Sequence, residues 1–428
     1  MKYFERILLE EIKKWMERKE IIAIKGPRQS GKTTLLKMLT EWFIKEKNVK
    51  KENIIFITFE DREVLENFSL NPKEFVKRFV LDEKQRYYFL IDEAHYCDEI
   101  GQKLKLLFDI YENIKFTITG SSSLEITSST SKFLVGRMLS FELFPLNFYE
   151  FLNVKDKGLA KIFLERNKMI KNLIQGKEFE LPKDEVFTKD FLELFEEYVL
   201  FGGYPEIVKS NNEEEKKLLI KNIFNTYLEK DIIIYLHIAD TLKFRRCVSL
   251  LSNLIGEIIR FESLSTQLKS YYKEITRFID ILEQTYIVKT VKPFYKNLVT
   301  ELRKNPKIYF VDLGLRNYAI NNFNKLENRI DAGKLAENFV FNELKFIDEN
   351  LNYWRTTAKA EIDFVLNHNI LLPIEVKFQE FTKPKITKSL QSFIKNYSPK
   401  YALVLTKNFW GERIINDTKV LFVPIFFI

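Results

Sequence analysis

The segment Gly26-Pro27-Arg28-Gln29-Ser30-Gly31-Lys32-Thr33 constrains this chain more than any other stretch. It fits the spacing GxxxxGK[ST], follows the apolar run Ile21-Ile22-Ala23-Ile24, and is succeeded by a helical pattern from Thr34, Leu35 and Leu36. A strand, a glycine-bearing loop and a helix N-terminus in that order build an anion cradle. Loop amides converge on the phosphates, and the positive end of the helix dipole favours negative charge. Lys32 is placed to reach the β- and γ-phosphates, and Thr33 to ligate Mg²⁺. Residues Gly26 to Thr34 are therefore the candidate nucleotide-binding set.

The complementary half of such a site is Tyr87-Tyr88-Phe89-Leu90-Ile91-Asp92-Glu93, a buried-strand pattern ending in two carboxylates. Asp92 would hold Mg²⁺ and Glu93 would orient and deprotonate the attacking water. The run Ile54 to Phe59 reads as an extra strand, which fits P-loop proteins with a strand between the loop strand and the Walker B strand. Lys115 to Ser123 reads as the next strand, and Ser121 at its end is the first choice for a hydroxyl sensing the γ-phosphate, against a plain turn of small residues. Arg137 follows shortly after. It could act on the γ-phosphate in cis or across a subunit boundary, the latter requiring a homo-oligomer, or pair with a surface acid. Apolar strands separated by helical stretches predict a parallel sheet covered on both faces.

The chain has 428 residues, more than a single core supports, and several domains are expected. Hydrophobic residues make up 46% and charged residues 30%, the composition of a soluble globular protein. Apolar runs such as Leu421 to Ile428 are too short to cross a bilayer, and the first residues carry no signal-peptide pattern. Two cysteines, Cys97 and Cys247, cannot build a disulfide framework, so a cytoplasmic location is expected. Three dispersed histidines disfavour a zinc site.

The formal net charge is +8, and from Thr241 to Lys307 there are 13 Lys and Arg against 6 Asp and Glu. Such an excess suits a polyanion or a solvated lysine-rich face. Within this stretch Ile275, Phe278, Ile279 and Leu282 have the i, i+3, i+4, i+7 spacing of one buried helix face, with Lys273, Thr276, Arg277 and Asp280 turned elsewhere. An earlier helix from about Phe261, and two strands at Tyr286 to Phe294 and Lys307 to Val311, complete the layout of a winged helix. Tyr271, Tyr272, Lys273, Arg277, Lys289 and Lys292 are the candidates for DNA contact. The competing reading is a lid or subunit contact.

Nearer the C-terminus, Glu361-Ile362-Asp363-Phe364-Val365-Leu366 and Ile374-Glu375-Val376-Lys377 alternate as strands around Asn367-His368-Asn369. A hairpin centred near Asn369 sets Asp363 opposite Glu375 and Glu361 opposite Lys377. Facing carboxylates destabilise a strand pair, and a divalent cation between them removes the conflict; oxygen ligands suit Mg²⁺ or Mn²⁺. Lys377 would then stabilise a phosphorane-like transition state or orient water, and Glu337 on the preceding helix would add a ligand. The alternative is an ordinary Glu361–Lys377 cross-strand pair with the other acids solvated.

Taken together, the chain resembles a large family of archaeal and bacterial ATPases in which an AAA-type P-loop domain precedes a winged helix and a C-terminal domain like the PD-(D/E)XK nucleases. The resemblance covers nearly the full length. It is carried by Gly26 to Thr33, Leu90 to Glu93, Thr119 to Ser122, Gly136-Arg137, Pro145-Leu146, Gly202 to Pro205, Trp354-Arg355, Glu361 to Phe364 and Ile374 to Lys377. Ala360 departs from the glycine expected before Glu361, and the stretch from Val154 to Thr188 matches poorly.

The resemblance implies an α/β fold: a P-loop ATPase domain over 1–150, a helical lid or linker over 151–238, a winged helix over 239–325 and a restriction-endonuclease-like domain over 326–428. It implies that Gly203 and Pro205 pack near the nucleotide base, and that Glu337, Asp363, Glu375 and Lys377 match the nuclease signature. The expected function is an ATP-hydrolysing, DNA-processing protein acting on linear or branched DNA, with Mg²⁺-dependent cleavage in the C-terminal domain. The rival is a nucleotide-dependent switch or scaffold acting on a protein partner.

Overall fold

The structure is a computed structural model that describes residues 3–120, 133–177, 180–182, 185–228, 240–294, 304–347, 350–367 and 369–428. The chain divides into two compact units. The first comprises Met1–Leu146 with Gln284–Tyr286, and the second comprises Asn147–Glu283 and Ile287–Ile428.

The first unit is a doubly wound parallel sheet. Its strands are β1 (Ile21–Lys25), β2 (Ile54–Thr58), β3 (Tyr87–Asp92), β4 (Ile114–Gly120) and β5 (Met138–Glu142), in the order β2-β3-β4-β1-β5. The alternation along each strand explains the layering. Ile21, Ala23, Phe89 and Ile91 point to one face, where they pack with Phe68, Phe75, Leu104 and Leu107 from the helices α3 (Arg62–Leu70), α4 (Pro72–Lys77) and α5 (Ile100–Ile110). Ile22, Ile24, Tyr88 and Leu90 point to the other, against Leu9 and Ile12 of α1 (Ile7–Lys13) and Leu35, Leu36, Leu39 and Phe43 of α2 (Lys32–Lys45). A strand buried on both faces favours apolar residues at successive positions, as β1 and β3 have; β4 instead carries the buried polar residues Lys115, Thr117 and Thr119 between its apolar ones.

One expectation about topology is corrected. The strand at 54–58 does not lie between the loop strand and the strand bearing Asp92. It sits at the sheet edge beyond β3, with Phe56 exposed, and β4 fills the place between β1 and β3.

In the second unit the helices α6 (Phe148–Lys155), α7 (Lys157–Ile174), α8 (Thr188–Phe201), α9 (Pro205–Lys209) and α10 (Glu213–Thr226) come first. Phe148 anchors them, with Phe151, Phe163, Phe195, Tyr198 and Phe339 rings packed around it. Helices α11 (Thr241–Asn253), α12 (Phe261–Gln267) and α13 (Tyr272–Gln284) follow, with Ile275, Phe278, Ile279 and Leu282 of α13 buried as their spacing requires.

An eight-stranded sheet then carries β6 (Val288–Pro293), β7 (Lys307–Phe310), β8 (Asn352–Arg355), β9 (Glu361–Asn367), β10 (Leu371–Lys377), β11 (Tyr401–Thr406), β12 (Gly411–Ile415) and β13 (Thr418–Pro424). Its order is β12-β13-β11-β10-β9-β8-β6-β7. Strands β6 and β7 pair antiparallel, Val288↔Phe310 to Val291↔Lys307. Yet β6 also runs parallel to β8 through Lys292↔Asn352 and Pro293↔Tyr353. Strands read from sequence as parts of separate segments, 239–325 and 326–428, thus hydrogen-bond in one sheet. Helices α14 (Leu313–Ala319), α15 (Ala332–Leu344) and α16 (Lys388–Tyr397) complete the unit. Among the described residues no helix is long and apolar enough to cross a membrane.

Candidate functional site

The loop from Gly26 to Thr33 joins β1 to α2. Gly26 has φ +152°, and a Cβ there would lie 2.1 Å from the Leu143 carbonyl oxygen, so the backbones meet where only hydrogen fits. Gly31, at φ +101°, is the N-cap of α2, which begins at Lys32, two residues before the helical pattern was expected. Gln29 also adopts a positive φ. Pro27 supplies a carbonyl to Lys32, whose ammonium donates to Gly26 O at 3.1 Å and Pro27 O at 3.0 Å with only 4% of the residue exposed. Arg28 Nη2 approaches Tyr96 Oη at 3.4 Å. Arg6, which the spacing of motifs did not single out, braces the loop from outside: its guanidinium donates to Ser30 O at 2.8 Å and Phe144 O at 2.6 Å. The Ser30 hydroxyl is buried without a hydrogen-bond partner among the described residues. An orphaned buried donor inside an amide-rich loop, beside a buried ammonium, fits a phosphate-bearing ligand.

Asp92 ends β3, and its two oxygens are divided. Oδ2 accepts from Thr33 Oγ1 at 2.7 Å, and Oδ1 accepts from Thr119 Oγ1 at 2.6 Å. Thr119 in turn accepts from the Glu93 backbone N–H at 2.9 Å. Thr33 and Asp92 thus stand together as the pair that would hold Mg²⁺. Glu93 follows in a left-handed conformation at φ +50°, with Oε2 3.0 Å from His95 Nδ1. Burial works against its charge, but the His95 contact and the nearby Lys32 and Arg28 hold its carboxyl below the usual range, so it is ionised at neutral pH. An ionised carboxylate next to the phosphate loop can accept a proton from water. In the sequence Thr119 stands only as part of a strand end. Its role follows from β4 lying beside β3, which spacing along the chain does not reveal.

Ser121, the expected sensor, lies outside the described residues. Thr34 is the third residue of α2. Arg137 precedes β5 and stands beside the start of β1. Its carbonyl accepts from Ile21 N, at the start of β1, whereas the loop follows the end of β1, five residues and roughly 16 Å of strand away. Its guanidinium pairs instead with Asp109 Oδ1 at 3.1 Å. Gly203 and Pro205 belong to the second unit. Gly203 N–H donates to Asp312 Oδ2 at 2.8 Å, and Pro205 opens α9 at its first turn, where a missing N–H costs nothing.

The C-terminal acids do converge, though not as a metal shell. The β9–β10 register is centred at Asn369, as expected, with Leu371↔Asn367 and Ile374↔Phe364. Where Asp363 would face Glu375 the ladder gives way, and Asp363 Oδ2 accepts from Val376 N at 2.8 Å. Glu375 turns to Thr387 Oγ1, 2.9 Å from each oxygen, and to Lys377 Nζ at 3.1 Å. Glu361 pairs with Arg355 at 3.2 Å, not with the facing Lys377. Glu337, on α15, accepts from Tyr309 Oη at 2.6 Å and Lys307 Nζ at 2.9 Å. Burial pushes the Glu337 carboxyl up despite Lys307. Burial opposes the charge on Lys307 too, but Glu337, Asp363 and Glu361 outweigh it and raise its pKa. Among the described residues no group of three His, Cys, Asp or Glu is disposed to hold a metal ion. Glu337, Asp363, Glu375 and Lys377 each have their charged group taken up by a protein partner.

Comparison with known proteins places these regions. Residues 18–152 match a family model described as AAA domain. Residues 192–326 and 332–426 match two described as Domain of unknown function (DUF8612) and Domain of unknown function (DUF4143). An uncharacterized protein of Haemophilus influenzae is 24% identical over 412 residues, spanning 94% of this chain and 93% of its own. Another, from Methanocaldococcus jannaschii, is 25% identical over 389 residues, spanning 88% and 79%. Among solved structures, the Aeropyrum pernix ORC1 protein in complex with DNA is similar over 73% of this chain and 91% of its own, at 11% identity and a TM-score of 0.29. Domain III of the Thermotoga maritima replication initiation protein DnaA is similar over 50% and 89%, at 20% identity and a TM-score of 0.28.

Proposed function

We propose, from the premise that residues 18–152 form an AAA-type nucleotide-binding domain, that this chain binds and hydrolyses Mg-ATP and couples the cycle to DNA handled by its second unit. The observation that carries the ATPase reading is the chain of bonds Thr33–Asp92–Thr119–Glu93 beside Lys32. Loop amides and Lys32 would hold the phosphates. Thr33 and Asp92 would hold Mg²⁺, which when bound would supply neutralisation of the charge developing on the phosphates. Glu93 would take the proton of the attacking water. Lys32→Ala is expected to abolish ATP hydrolysis in a phosphate-release assay; unchanged turnover would sink the assignment of the site.

The DNA reading rests on the basic stretch around α13, where Tyr271 and Tyr272 are 65% and 58% exposed at its start and Lys273 and Arg277 are exposed along it. Aromatic faces beside cations suit a nucleic-acid backbone. A second reading, a nucleotide-dependent switch acting on a protein partner, is favoured by the self-satisfied acid cluster at the C-terminal end. Tight retention of ADP with no DNA-stimulated turnover supports the switch, and binding that weakens steeply with salt supports the DNA reading.

A further inference from the structure

We propose that Lys307 is the resident cation of the C-terminal acid cluster, and that the cluster is a salt-linked clasp and not a divalent-metal site. The inference does not depend on the ATPase reading. Lys307 is 1% exposed and comes from β7, outside the segment where the nuclease-type signature was read. Its ammonium lies 2.9 Å from Glu337 Oε1, 2.7 Å from Glu361 Oε1 and 3.9 Å from Asp363 Oδ1. An ammonium has three donors, and here it faces three carboxylates. Tyr309, two residues on and therefore on the same face of β7, donates to the same Glu337 oxygen at 2.6 Å. One strand thus presents a cation and a hydroxyl together to the helix acid.

The remaining acid contacts are closed in the same way. Asp363 Oδ2 holds the Val376 amide, Glu375 holds Thr387 and Lys377, and Glu361 holds Arg355. Protein donors stand where a metal was expected, the Val376 amide on Asp363 and Thr387 with Lys377 on Glu375, while burial and the remaining repulsion from Asp363 keep the Glu375 carboxyl raised. Mg²⁺ would need about six oxygen ligands at roughly 2.0–2.1 Å around a point now bordered by the Lys307 ammonium. Two cations cannot share that point, and an ammonium so buried has nowhere solvated to go without moving β7. The consequence is mechanical: Lys307 and Tyr309 tie the wing hairpin to α15 and β9, so hairpin and C-terminal sheet behave as one body within the second unit.

The test is uptake of Mn²⁺ by the full-length chain without nucleotide, read by electron paramagnetic resonance of free Mn²⁺, in wild type, Asp363→Ala, Lys307→Met and the double variant. Wild type and Asp363→Ala are expected to take up the same amount at millimolar Mn²⁺, with no bound ion that depends on Asp363. Lys307→Met is expected to gain one bound Mn²⁺ per chain, lost again in the double variant, and to rise in melting temperature with Mn²⁺ as wild type does not. A wild-type Mn²⁺ ion that disappears in Asp363→Ala would overturn the proposal, as would DNA cleavage by wild type that is lost in both Asp363→Ala and Lys377→Ala. A folded Lys307→Met chain that gains no ion would overturn the claim that Lys307 holds a metal's place. If Lys307→Met does not fold, the comparison of wild type with Asp363→Ala decides alone. None of these readouts uses ATP turnover, so failure here and failure of the ATPase reading remain distinguishable.

Discussion

Thr119 carries more of the ATP site than its side chain suggests. Its hydroxyl donates to Asp92 and accepts from the Glu93 amide, so one buried oxygen ties the Asp92 carboxylate to the backbone of Glu93. Thr119→Val keeps the shape and removes that oxygen, leaving a buried N–H and a carboxylate oxygen each short of a partner. The cost is about 1–3 kcal/mol for such an unsatisfied group. Because Glu93 is ionised and poised by that bond, the expected result is retained ATP binding with kcat lowered by about tenfold or more. Steady-state kinetics with a parallel melting curve checks this, and an unchanged kcat would show that Thr119 does not position Glu93. Lys307 works at the same scale in the other unit, where a single buried ammonium faces the carboxylates of Glu337, Glu361 and Asp363.

At the scale of elements, the first turn of α14 shows how capping reaches between helices. Asp312 accepts from Leu315 N at 3.0 Å as the cap of α14 and from Gly203 N at 2.8 Å at the end of α8. Burial pushes its carboxyl up to about 6, the backbone donors notwithstanding. The unfolded value is about 3.9, so the folded state holds the proton more tightly. Ionised Asp312 therefore costs stability. Its penalty is absent below the unfolded pKa, grows as pH rises from about 4 to 6, and is constant above that. Asp312→Asn cannot ionise; its Oδ1 still accepts from one amide, and its Nδ2 leaves the other without an acceptor, a loss that does not vary with pH. Relative to wild type its melting temperature is expected to rise between pH 4 and pH 7, by the equivalent of at most about 3 kcal/mol. A difference that stays flat or falls with pH would contradict the buried-acid account.

At the scale of the whole molecule, two compact units carry two separable chemistries. The first holds Lys32, Thr33, Asp92 and Glu93, and the second holds helix α13, with Lys273 and Arg277, and the acid cluster. Lys32→Ala is expected to remove ATP turnover and leave DNA binding in the absence of nucleotide intact. Lys273→Ala with Arg277→Ala is expected to leave basal ATP turnover intact and reduce the slope of log affinity against log salt by about one for each phosphate no longer neutralised. Fluorescence anisotropy at several salt concentrations gives that slope. A slope unchanged in the double variant would remove α13 from the DNA interface and favour the protein-partner switch.

By itself the sequence determined what depends on neighbours along the chain. The phosphate loop, the strand ending in Asp92-Glu93, the buried face of α13 and the β9–β10 register are all set by spacings of a few residues, where pleat and helix periods act directly. Tertiary structure decided what depends on which strands lie side by side. Placing β4 between β1 and β3 brought Thr119 to Asp92 and left β2 at the edge. The pairing of β5 with β1 set Arg137 at the far end of the sheet from the loop. The pairing of β6 with β8 carried Lys307 into the acids of a segment read as separate. Strand order is settled by covering both faces of a sheet with apolar side chains. That condition involves residues a hundred positions apart, and no local spacing records it.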